Sequence, residues 1–108
     1  GTLPWLKDFA LQNKNWSVRY VAVIAIAKYL KEDSDTLPLL KDRALQDESI
    51  SVRQAAVNAI AQGWKEDPDT LPLLKNRALQ DENYSVRQAA VTAIAQGWKE
   101  DPDKLFVI

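Results

Sequence analysis

The sequence predicts an all-α protein, an α-solenoid of three stacked helix-turn-helix repeats. Three observations predict it. Thr2, Thr36 and Thr70 each open a block of 34 residues, and blocks two and three differ only at Asp42/Asn76, Ser49/Asn83, Ile50/Tyr84 and Asn58/Thr92. Within a block, apolar residues recur at helical spacing twice, on either side of a short polar turn, and no stretch alternates with the period of a strand. One pair of short helices cannot bury its own apolar face, whereas three stacked pairs cover one another. The organisation is therefore repeat one over 2–35, divergent at 13 of 34 positions from repeat two over 36–69, then repeat three over 70–103. The remaining KLFVI, 104–108, reads as the stub of a fourth repeat or an end cap of the same solenoid domain, with Leu105 and Ile108 expected to cover the end of repeat three.

Block two shows each element. Leu37, Leu40, Ala44 and Leu45 define one apolar helix face. Thr36 is expected as its N-cap and Pro38 sits in its first turn, where a missing N–H costs nothing. Asp47 to Ile50 is the turn. Ser51 with Gln54 reads as a capping box opening the second helix, repeated by Ser85 and Gln88, with Ile50 and Tyr84 stapling back onto Ala55 and Ala89. Val52, Ala56, Ala59 and Ile60 form the second face, and Lys65 to Asp69, with Pro68, ends the unit. Gly63 and Gly97 fit a left-handed cap or a helix that runs through them; Tyr29 at the same place in block one favours the second, with Gly giving room for a neighbouring helix.

Composition narrows the chemistry. Lys plus Arg number 14 against 15 Asp plus Glu, and Cys, His and Met are absent. Thiol chemistry, disulfides, the usual zinc and haem sites and imidazole catalysis are thereby excluded. The net charge of −1, spread over the blocks as +1, −2 and −1 with Lys104 completing it, gives no field for nucleic acid or an anionic membrane. The longest apolar run, Tyr20 to Ala27, is eight residues, against the roughly 20 that a membrane helix needs. No secretory signal opens the chain, and the lack of Cys fits a cytoplasmic setting. Gly1 in place of an initiator Met points to a cleaved tag or a fragment of something longer. The acidic groups Glu66, Asp67, Asp69 and Glu100, Asp101, Asp103 lie in polar turns beside Lys65 and Lys99, where solvation keeps them ionised, and no calcium-loop rhythm or glycine-rich phosphate loop accompanies them. No catalytic residue, cofactor or metal site is expected.

The 34-residue period is that of the tetratricopeptide repeat, but Leu40 to Ala44 lacks that family's Gly and Tyr. Instead Asp47 is followed six residues later by Arg53 in a D-x-x-x-S-V-R-Q-A-A-V pattern, repeated by Asp81 and Arg87 and kept in block one as Ser17-Val18-Arg19 with Asn13 for the Asp. This resembles the HEAT repeat, and the WKEDPDTLPLLK phrasing resembles HEAT-like repeats attached to bacterial, especially cyanobacterial, signalling NTPases. The resemblance implies a right-handed superhelix and an inter-repeat ladder of Arg19, Asp47, Arg53, Asp81 and Arg87. It also implies a non-catalytic protein-interaction or scaffolding role, as a sensor or partner-recognition region of a larger chain, with second helices lining a concave side. A HEAT-like lyase or nucleic-acid glycosylase component is the alternative from another class, and the near-identity of blocks two and three also suits an engineered consensus array.

The outward stripe of the second helices is the candidate partner surface. It comprises Tyr20, Ile24 and Lys28 in block one, Gln54, Asn58 and Gln62 in block two, and Gln88, Thr92 and Gln96 in block three. Block one also carries Trp5, Phe9 and Trp16. Packing against a missing upstream neighbour, a contact site for a partner (or self-association through repeat one), and a cap folding its own aromatics inward all account for these, and the sequence favours them in that order. Phe9 discriminates, because it replaces Arg43 and Arg77, which are expected to be solvated.

Overall fold

Each block folds as the helix pair that its two apolar stripes require. The computed structural model describes residues 4–101, and among them every regular element is a helix: α1 (Pro4–Gln12), α2 (Trp16–Tyr29), α3 (Thr36–Gln46), α4 (Ile50–Gly63), α5 (Thr70–Gln80) and α6 (Tyr84–Gly97). The expectations for Thr2, Leu105 and Ile108 lie outside the described residues. Within each block the two helices pack along their length, and between blocks α2 lies on α4 and α4 on α6. The second helices thus form one continuous layer, and the first helices an outer layer with little contact between its members. The core runs along the inner layer through Val23, Ile26, Val52, Val57, Ile60 and Val86, with Leu40 and Leu74 inserted from the outer helices, all fully buried. Each such side chain contributes about 1.5–3 kcal/mol. Alanines 22, 55, 56 and 90 are buried between them, and their small side chains let the helix backbones approach.

Local chemistry shifts the helix starts from the expected frame. Ser49, not Ser51, caps α4, its hydroxyl accepting from the Val52 N–H at 3.3 Å, and Asn83 caps α6 through the Ser85 N–H at 2.8 Å. Asn15 does the same for α2. Ser51 and Ser85 therefore lie inside the first turn, and Ile50 and Tyr84 open their helices as exposed residues instead of stapling them. Asp35 and Asp69 hold the cap positions of α3 and α5. Thr36 and Thr70 are fully buried first residues whose hydroxyls donate back to the carbonyls of Leu30 and Trp64, so the threonine closes the joint between blocks. Leu45, expected in the first apolar face, is exposed, and Leu39 is buried in its stead. Gly63 and Gly97 end their helices without a positive φ. A Cβ would meet only Lys31 Cε at 3.7 Å at the first and nothing within 4 Å at the second, so neither glycine is making room for a helix.

The blocks are joined by buried charge. Arg19 Nε and Nη2 donate to the two carboxylate oxygens of Asp47 at 2.9 and 3.0 Å, while its Nη1 donates to the Asn13 carbonyl at 2.7 Å. Asp47 also accepts from Arg43 Nη1 at 3.0 Å and the Ser49 N–H at 2.9 Å. Arg53 repeats the fork onto Asp81 at 3.1 and 3.3 Å and onto the Asp47 carbonyl at 2.7 Å, with Arg77 and the Asn83 N–H completing the set. Arg43 and Arg77 are thus not the solvated residues their helical position suggested: they brace the carboxylate from the same block. Block one lacks the arginine: Phe9 stands four residues before Asn13, where there is no carboxylate to brace. Outer ties from Lys7 to the exposed Asp35 and from Lys41 to the exposed Asp69 contribute little, while the Lys7–Asp33 pair is part-buried. Lys31 over Trp64 and Lys65 over Trp98, 5.5 and 5.7 Å from the ring centres, add a cation–π contact at each junction.

Removing one partner of a buried pair strands the other charge. Arg53→Gln is expected to lower unfolding free energy by about 3–5 kcal/mol, and Lys41→Gln by less than about 1 kcal/mol, both read from urea denaturation at neutral pH. Burial pushes the carboxyls of Asp47 and Asp81 up, but the hydrogen bonds from Arg19 and the Ser49 N–H, and from the Asn83 N–H and Arg53, outweigh it together with the nearby arginine charge. Both are held below the unfolded value of about 4. The stability they contribute is complete above about pH 5 and is lost as pH falls below about 4. Thermal melts at stepped pH should show a level midpoint from about pH 8 to 5 and a decline below it, with Asp47→Asn starting lower and losing less.

Candidate functional site

The polar face of the inner layer carries two neighbouring grooves. Between α2 and α4 the walls are Tyr20, Ile24 and Lys28 on one side and Asn58 and Gln62 on the other, over a floor of Ala27, Ala55 and Ala59. Between α4 and α6 they are Gln54, Asn58 and Gln62 facing Gln88, Thr92 and Gln96, with Ala61, Ala89 and Ala93 below. Asn58 and Gln62 line both grooves, so all nine residues of the stripe share one surface. The helical period places them there: residues four apart on parallel inner helices stand in rows, and the alanines beside them leave the hollows.

The surface changes character along its length. At the block-one end Tyr20 and Ile24 are exposed large apolar groups. From Gln54 onward the lining is amide and hydroxyl, able to donate and accept hydrogen bonds. Gln54 itself is half-buried, its amide Nε2 donating to the Ser85 carbonyl of α6 at 3.3 Å, so it ties the helices while facing the groove. Lys28 is the one charged member of the stripe, 5.2 Å from the ring centre of its neighbour Tyr29. Among the described residues no three acidic side chains converge as metal ligands would, and no helix is long and apolar enough to cross a membrane.

Four of the five aromatics of block one form two pairs, and the fifth, Tyr29, ends α2 as an exposed ring. Trp5 and Phe9 meet edge-on at 5.5 Å on α1, in the outer layer. Trp16 meets Tyr20 edge-on at 6.3 Å on α2 and, with Ser51, Gln54 and Asn58, extends the groove surface toward the helix starts. All four rings remain exposed, so block one does not fold its aromatics inward. Trp16 is the residue that reading by stripe missed. Its signal is the four-residue spacing to Tyr20, hidden when the helix is started two residues too late.

With the stacked pairs and this surface in place, comparison with known proteins gives the class. A profile for HEAT repeats matches residues 3–95, and the chain belongs to the HEAT-repeat family. HEAT repeats commonly serve as protein-interaction scaffolds. Searches of curated proteins and of solved structures found no match to the chain.

Gly97 closes one end of the second groove. Since its φ is not positive and a Cβ there meets nothing within 4 Å, Gly97→Ala is expected to raise stability by up to about 1 kcal/mol through a less flexible unfolded chain. Urea denaturation reads it, and Gly63→Ala should behave alike.

Proposed function

We propose that this chain is a non-catalytic protein-interaction module, a cytoplasmic partner-recognition region of a larger polypeptide of the signalling-NTPase kind that its WKEDPDTLPLLK segment resembles. The observation that carries the reading is the continuous groove face of α2, α4 and α6, apolar at Tyr20 and Ile24 and uncharged polar from Gln54 to Gln96. Such a face suits a protein segment that seats an apolar side chain at one end and offers backbone or amide groups along the rest. Aromatic and large aliphatic anchors commonly dominate protein interfaces, with polar surroundings setting orientation. Rigid helix rows hold both parts in register, so recognition needs no rearrangement of the scaffold. The surface has neither the basic lining that nucleic acid requires nor a paired nucleophile and base.

The test begins with capture from source-cell lysate, followed by re-expression of the bound protein and measurement of its affinity by calorimetry. Tyr20→Lys with Ile24→Lys is expected to weaken binding at least about 10-fold, and Gln88→Ala with Gln96→Ala by a smaller factor, all variants melting as the native chain does. A partner held equally by native protein and both variants would refute this surface as the site.

A further inference from the structure

The two junctions between blocks share one chemistry, and the outer side of α6 carries half of it a third time. Arg19 and Arg53 each place a fork on an aspartate of the following block, and beside them Val23 and Val57 are 0% exposed. Arg87 and Val91 occupy the same places on α6. Arg87 Nη1 donates to the Asp81 carbonyl at 2.6 Å, as Arg53 Nη1 does to that of Asp47, but among the described residues its Nε and Nη2 meet no acceptor. Val91 is 54% exposed, against 0% for Val23 and Val57. Lys99 stands where Lys31 and Lys65 lie over the tryptophan of the following block.

We propose that this face is a docking surface for a further helix pair of the same repeat kind, one that brings an aspartate from its turn onto Arg87 and covers Val91. It is separate from the grooves and does not depend on their role. Continuity with the two junctions already formed defines the occupant: a carboxylate for the guanidinium, and a small residue facing the valine, as Ala55 and Ala89 are small in the blocks that follow Val23 and Val57. The chain's own first block does not meet that description. It offers Asn13, Trp5 and Val21 where blocks two and three have Asp47 and Asp81, Leu39 and Leu73, Ala55 and Ala89. Its turn brings no charge to Arg87, and its larger side chains hold the helices apart, so a second copy stacked head to tail is a poor occupant.

Replacing everything after Asp103 with a copy of residues 70–103 supplies such a pair in place. The melting midpoint is expected to rise by at least about 5 °C, and changing the added copy's counterpart of Asp81 to asparagine should remove most of the rise. Arg87→Gln should lower the midpoint of the extended chain as much as Arg53→Gln does, yet move that of the native chain by less than about 2 °C. An extended chain that melts no higher, or that is indifferent to Arg87→Gln, overturns the proposal. So does a native chain in which Arg87→Gln costs as much as Arg53→Gln, because Arg87 is then already engaged. Sedimentation equilibrium supplies the last arm: a monomer is expected, and a dimer dissolved by Val91→Lys would give the face to a second copy instead.

Discussion

A carboxylate taken out of water must have its lone pairs met, and the stacking of this chain follows from how Asp47 and Asp81 satisfy that demand. Each accepts from an arginine of the preceding block, an arginine of its own first helix and a backbone N–H of its own turn. Three pieces of chain are thereby fixed to one group a few ångströms across. An apolar replacement of similar shape is often as stable as a buried ion pair, so what the pair supplies here is register. A one-residue slip of α4 along α2 separates guanidinium from carboxylate as well as disturbing the core. The fork geometry makes that penalty steep, since both parallel hydrogen bonds are lost together.

Charge and neutrality are segregated by the same arrangement. The arginines, aspartates and most lysines lie in the turns, in the outer helices or across the junctions, where they hold blocks together. The face of the inner layer is left with amides, a threonine hydroxyl and small alanines, and with aromatic and aliphatic groups at one end. From Gln54 to Gln96 its neutrality is therefore a property of blocks two and three, in which the ions are committed elsewhere, and Lys28 brings the stripe its one charge at the block-one end. A partner meeting that face displaces water from amides, at a far lower cost than from ions.

Much of this architecture was legible in the residues, and the exceptions have definite causes. The period, the helix number and the buried faces follow from spacing alone, because stacked copies of one unit must repeat their core. The cap frame did not, since Ser51 with Gln54 imitates a capping box; the turn is in fact set earlier, by the Asp47 carboxylate accepting from the Ser49 N–H. The position of Arg43 on its helix points to solvent, but Asp47 stands four residues on, and a buried carboxylate has room for Arg43 as well as Arg19. The stripe of nine residues was found by periodicity, whereas Trp16 fell outside it through the same error in the helix start. Phe9 goes with Asn13: bracing arginine and braced aspartate are absent together in block one, and the ring that stands in the arginine's place is exposed.

The ion pairs that join the blocks span 28 residues each, and the threonine joints span six. Among the described residues no tie of this kind reaches from the first block to the third. The chain therefore acquires its order without closing a long loop, and the entropy surrendered at each step is that of a segment no longer than one repeat. Contacts so local favour rapid folding that can begin in any block and spread to the next. The same locality lets an end pair fray while the middle pair, held by a fork on either side, keeps its backbone amides shielded from exchange with solvent.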